Sequence, residues 1–99
     1  VEVVFSGEIW YWRGPSPFHF VAVPPDESAE IHALASVVTY GWGMIPVEGL
    51  IGRTRFSTSL FAKDGGYLLP VKSSVRVAEA LEVGDVVSAR LRLGPSRTS

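Results

Sequence analysis

The chain has 99 residues, of which 46% are hydrophobic and 19% charged, with a formal net charge of −1. That balance suits one globular domain with a modest core rather than a disordered chain. The absence of cysteine excludes a disulfide scaffold and thiolate chemistry. No apolar run is long enough for a membrane-spanning helix and no signal-peptide pattern opens the sequence, so a soluble, cytoplasmic protein is expected.

The opening VEVVFSGEIWYW alternates as a strand. Val1, Val3, Phe5, Ile9 and Tyr11 share one face; Glu2, Val4, Ser6, Glu8, Trp10 and Trp12 share the other. RGPSP is a turn, and FHFVAV a second strand with Phe18 and Phe20 opposite His19, Val21 and Val23. PPDESAEIHALAS reads as a helix: prolines precede it, acids fill its first turn, and Ile31, Leu34 and Ala35 form an apolar stripe. VVTYGWGM is a glycine-broken connection. IPVEGLI is a strand, followed by Gly52 where a tight hairpin turn is needed.

RTRFSTSLF alternates Thr54, Phe56, Thr58 and Leu60 against Arg53, Arg55, Ser57, Ser59 and Phe61. KDGG is a second hairpin turn, with Asp64 and Gly65 suited to positive φ. YLLPV is a strand, KSSVRVAEAL a helix and EVGD a turn. VVSARLRL is the last strand, with Val87, Ala89, Leu91 and Leu93 inward and Ser88, Arg90 and Arg92 outward. The order β-β-α-β-β-β-α-β, dominated by hairpins, predicts a mostly-β fold. It is a small closed or partly closed barrel of about six strands capped by two short helices. One domain is expected over residues 1–93, with a frayed, flexible tail at 94–99.

Aligning Pro24 with Pro70 lays VAVPPDESAEIHALA over YLLPVKSSVRVAEAL, with Ile31 on Val77 and Ala35 on Leu81. Each copy is a strand, a proline, a short helix and a strand, a unit too small to bury its own apolar face. Two copies related by a pseudo-twofold axis would close one barrel. The charges differ: Asp26 aligns with Lys72 and Glu30 with Arg76. Acids at a helix start agree with the helix dipole and bases do not. Lys72 and Arg76, four apart, are therefore candidates for holding an anion; the competing reading pairs Arg76 with Asp85, Glu82 or an acid of the first helix.

These same residues carry a family resemblance. GGYLLPVKSSVR followed by LEVGDVV resembles the C-terminal signature of the bacterial family called domain of unknown function 1905. FSGEIWYWRGPSPFHFVAVP and IPVEGLIGRTRFSTSLF fit it as well, so the resemblance covers residues 3 to 93. Met44 and Pro46, in GMIP, depart modestly from it. The resemblance implies a double-split β-barrel, a fold shared with dimeric swapped-hairpin transcription factors and antitoxins. Their half-units also read strand, proline, basic helix, Gly-Asp, strand. It implies no activity. Some members are joined to a second domain associated with bacteriocin protection, and none is expected within these 99 residues.

Residues 1–49 hold six acids and one base, giving −5; residues 50–99 hold eight bases and four acids, giving +4. Such segregation marks an anion-binding face or head-to-tail association, unless the halves interleave in space. Two histidines without close partners offer no metal site, and Ser59, His19 and Asp64 have no spacing that supports a nucleophilic triad. Neither a catalytic set nor a cofactor is expected. Candidate binding residues are Trp10 and Trp12, two apart on one strand face, Trp42 in the glycine-rich connection, and Lys72 with Arg76. Arg53 and Arg55 extend a basic row toward Arg90 and Arg92. The leading expectation is a non-enzymatic binding or interaction module for a small anionic ligand or a protein partner. A nucleic-acid-binding module and a self-associating structural protein, with Trp10 and Trp12 in a dimer interface, are the alternatives.

Overall fold

The computed structural model describes residues 2–15, 18–38 and 44–93, the side chains of 34–38 excepted. Leu34 and Ala35 of the expected stripe, Trp42, and the tail lie outside that description. The element order is the one expected: β1 (Glu2–Trp12), β2 (Phe18–Ala22), α1 (Pro25–Val38), β3 (Ile45–Ile51), β4 (Thr54–Lys63), β5 (Gly66–Pro70), α2 (Ser73–Ala78) and β6 (Val86–Leu93). The strands close a barrel in the order β1-β2-β5-β4-β3-β6, antiparallel throughout. Closure removes exposed sheet edges, so a sheet this small needs no covering layer to protect them.

Alternation decides which residues fill the barrel. Val3, Phe5 and Ile9 of β1, Val21 of β2, Leu69 of β5 and Leu91 of β6 are buried inside it. β2 and β5 run antiparallel, so the helices that follow them stand at opposite ends of the barrel. Each brings a buried apolar residue to its end, Ile31 from α1 and Val75 from α2. The α1 start follows its sequence signals. Pro25 takes the first position, Asp26 and Glu27 fill the first turn, and Ser28 donates its buried hydroxyl to the Val23 carbonyl at 3.1 Å. The hairpin turns do too: Asp64 and Gly65 both take positive φ. Gly52 has a φ of 60°, and a Cβ there would overlap the Glu79 carboxylate.

The pairings respect the repeat. Exchanging the half β1-β2-α1-β3 with β4-β5-α2-β6 leaves the strand order unchanged. Laying Pro24 on Pro70 puts Val21 on Tyr67, and the Ile9–Val21 pair then falls on Ala62–Tyr67. The same shift of β1 onto β4 carries Phe5–Ala89 onto Thr58–Val47.

Four expectations need correction. Val77, laid on the buried Ile31 by the repeat, is exposed, and Val75 is buried in its place. The first helix runs to Val38, past the expected end at Ser36. The second stops at Ala78 rather than Leu81, because Ala80 adopts a φ of 54°. The Leu81 and Ala80 amides then bond back to the Arg76 and Val77 carbonyls, at 2.8 and 3.3 Å, as in a Schellman ending. Tyr11, expected on the core face, is exposed, since β1 continues beyond the barrel rim.

Candidate functional site

The β1–β2 hairpin continues past the barrel core for three pairs: Trp10 opposite Phe20, Tyr11 opposite His19, and Trp12 opposite Phe18. Strand alternation sends the first and last of these pairs to the outer face and the middle one to the other. The extension therefore has two chemically different sides.

On the outer side lies an aromatic groove of about 690 Å³, lined by Trp12, Phe18, Phe20, Phe61 and Leu68, with Lys63 and Asp64 at its end. Phe18 is its centre. Trp12 and Phe61 meet it edge-on, with ring centroids at 5.5 and 5.6 Å, and Phe20 tilts against it at 5.7 Å. These edge-to-face contacts fix the rings relative to one another while leaving their outward surfaces free. Trp12 is held from the turn as well: its indole lies over Gly14, where any Cβ would overlap the ring. Despite its contacts Trp12 remains 46% exposed.

Trp10, 53% exposed, belongs to a different cleft, of about 600 Å³, whose other walls are Tyr11, Arg13, His19 and Val83. The Tyr11 and His19 rings are tilted against each other at 4.7 Å. Burial, and secondly the Arg76 charge, hold the His19 imidazole below its ordinary value. The two tryptophans that the sequence places together on one strand face thus serve separate clefts.

The basic candidates disperse. Lys72 occupies the N-cap position of α2, exposed and making no capping bond. Because α2 has only six residues, Arg76 falls in its last turn, where a cation agrees with the helix dipole. The conflict with the dipole therefore vanishes for Arg76 and persists for Lys72 at the helix start. Arg76 donates from Nε to the Val71 carbonyl at 3.4 Å; the Asp85 carboxylate expected to pair with it accepts the Glu82 amide instead, at 2.9 Å.

Arg53 sits in the β3–β4 turn. Its amide and the Thr54 hydroxyl both donate to the Glu79 carboxylate, at 3.2 and 2.6 Å. The Thr54 bond, then the Arg53 amide and charge, hold Glu79 below the usual carboxylate range. Arg55, Arg90 and Arg92 do share one shallow depression, but Glu2 and Glu48 line it too. Arg92 lies between those two acids across the sheet. The charge segregation of the sequence is therefore neutralised where β6 is inserted between β1 and β3.

Sequence reasoning missed Phe18, Phe20, Phe61 and Leu68 as a group, and Tyr11, Arg13 and His19. The available signal was the position of His19 beyond the last core residue of its strand. Among the described residues, no three His, Asp or Glu side chains gather to hold a metal ion.

Fold and site together define a small closed antiparallel barrel with two end-capping helices and solvent-open aromatic clefts that flank one extended hairpin. The chain belongs to the family described as domain of unknown function (DUF1905), whose profile matches residues 5–91. A search of curated proteins finds no significant match to the chain.

Proposed function

We propose that this domain is a non-enzymatic binding module and that the outer groove takes a small apolar molecule carrying at least one ring. The observation that carries this reading is the ordered aromatic set Trp12, Phe18 and Phe61, concave and open to solvent. Its volume is in the range of small-ligand sites, and apolar walls with few polar groups are their usual lining. Lys63 at the groove end supplies one ammonium for an acidic substituent on the ligand. A nucleic-acid reading has less support, because the arginine row is interleaved with acids.

The test uses the neutral dye N-phenylnaphthylamine, which brightens in apolar sites. Saturable binding at one dye per chain is expected, weakened about tenfold or more by Trp12→Ala, for a loss of roughly 1.4 kcal/mol of stacking. Absence of saturable binding, or equal binding by the variant, contradicts the reading. Sedimentation at the same concentrations identifies the self-association alternative, in which this face would be covered by a second copy.

A further inference from the structure

The cleft behind Trp10 has a chemistry the aromatic groove lacks. Arg13 and His19 line it, and no carboxylate does. Arg76 borders it through Val71: its Nε donates to the Val71 carbonyl at 3.4 Å, and the Val71 amide donates to the His19 carbonyl at 2.9 Å. Among the described residues, Arg76 makes one side-chain hydrogen bond, through Nε, and Arg13 makes none. The one acid in the adjoining turn whose partner is described, Asp85, is engaged by the Glu82 amide. Guanidiniums with unengaged donors beside an imidazole and a phenol form an arrangement that an anion completes. The remaining walls are flat or apolar: the Trp10 indole, the Tyr11 ring and Val83.

We propose that this cleft binds a phosphate monoester carried on a planar ring. The phosphate dianion matches the two guanidiniums of Arg13 and Arg76, with the His19 ring and the Tyr11 hydroxyl as further donors. The planar ring stacks on Trp10. This site shares no lining residue with the aromatic groove.

Adenosine monophosphate is the probe, followed by calorimetry against adenosine and inorganic phosphate. The monophosphate is expected to bind at one per chain, and each of the other two on the order of tenfold more weakly or worse. Arg13→Gln, an exposed substitution that leaves the barrel untouched, weakens it by about tenfold, as does Arg76→Gln. Trp12→Ala leaves it unchanged. No saturable binding of the monophosphate, inorganic phosphate binding equally well, or undiminished binding by Arg13→Gln overturns the proposal. The neutral-dye experiment reads the other cleft, so either result stands alone.

Discussion

Hairpins β1–β2 and β4–β5 occupy equivalent places in the two halves of the barrel, yet they end differently. Beyond the Ala62–Tyr67 pair, β4–β5 adds one pair, Lys63 with Gly66, and closes at once through Asp64 and Gly65. Beyond the equivalent Ile9–Val21 pair, β1–β2 adds three, and its extra residues are Trp10, Tyr11, Trp12, Phe18, His19 and Phe20. What the halves share builds the barrel; what one half adds completes both clefts, against Phe61 and Leu68 of the other hairpin in the groove and against Val83 in the second cleft. The helices differ in the same spirit. α1 has 14 residues and an acidic start, while α2 has six and ties Arg76 to Val71, whose amide bonds the His19 carbonyl.

The sharpest way to separate frame from extension is to truncate one side chain in each. Leu69 is fully buried in the shared frame, and Leu69→Ala is expected to cost about 2–5 kcal/mol in urea unfolding. Trp12→Ala is expected to cost about 1 kcal/mol, the worth of its aromatic contacts, while removing dye binding. Similar losses from both would erase the distinction.

A smaller effect of opposite sign is expected at the end of α2. Ala80 occupies a left-handed position that glycine adopts without steric cost. Ala80→Gly should therefore gain about 0.5–1 kcal/mol, measured by thermal and urea unfolding; a loss would show that the φ of 54° carries no strain.

The smallest effect concerns the tie between the halves. Glu79, just past α2, grips the β3–β4 turn. Its carboxyl is lowered in the folded state, so its contribution is present above the unfolded value near 4.5 and is lost as pH falls through the lowered folded value. Glu79→Gln should flatten the stability profile in that acidic window, read from urea midpoints. An unchanged profile would mean the tie contributes nothing.

Much of this frame was legible from period-two alternation, because a barrel strand with one face in the core must alternate. The two hairpin turns were legible from Gly52, Asp64 and Gly65. The end of α2 was not: VAEAL has good helix formers, and only the bonds from Leu81 and Ala80 back to Arg76 and Val77 turn the chain. The groove was not legible either. Phe18, Phe61 and Leu68 belong to three strands, and the ring contact between Phe18 and Phe61 passes over β5, which depends on barrel curvature. Alternation put Trp10 and Trp12 on one face, but it could not assign them to different clefts.

The central claim, that the extension completes the sites and the repeat makes the barrel, is tested most directly by trimming β1–β2 to the length of its counterpart. Residues 11–19 are replaced with Asp-Gly, the turn used by β4–β5, and unfolding and dye binding are measured on the same sample. A single cooperative transition together with loss of the saturable dye site is predicted. Retention of that site, or failure to fold, would contradict the account.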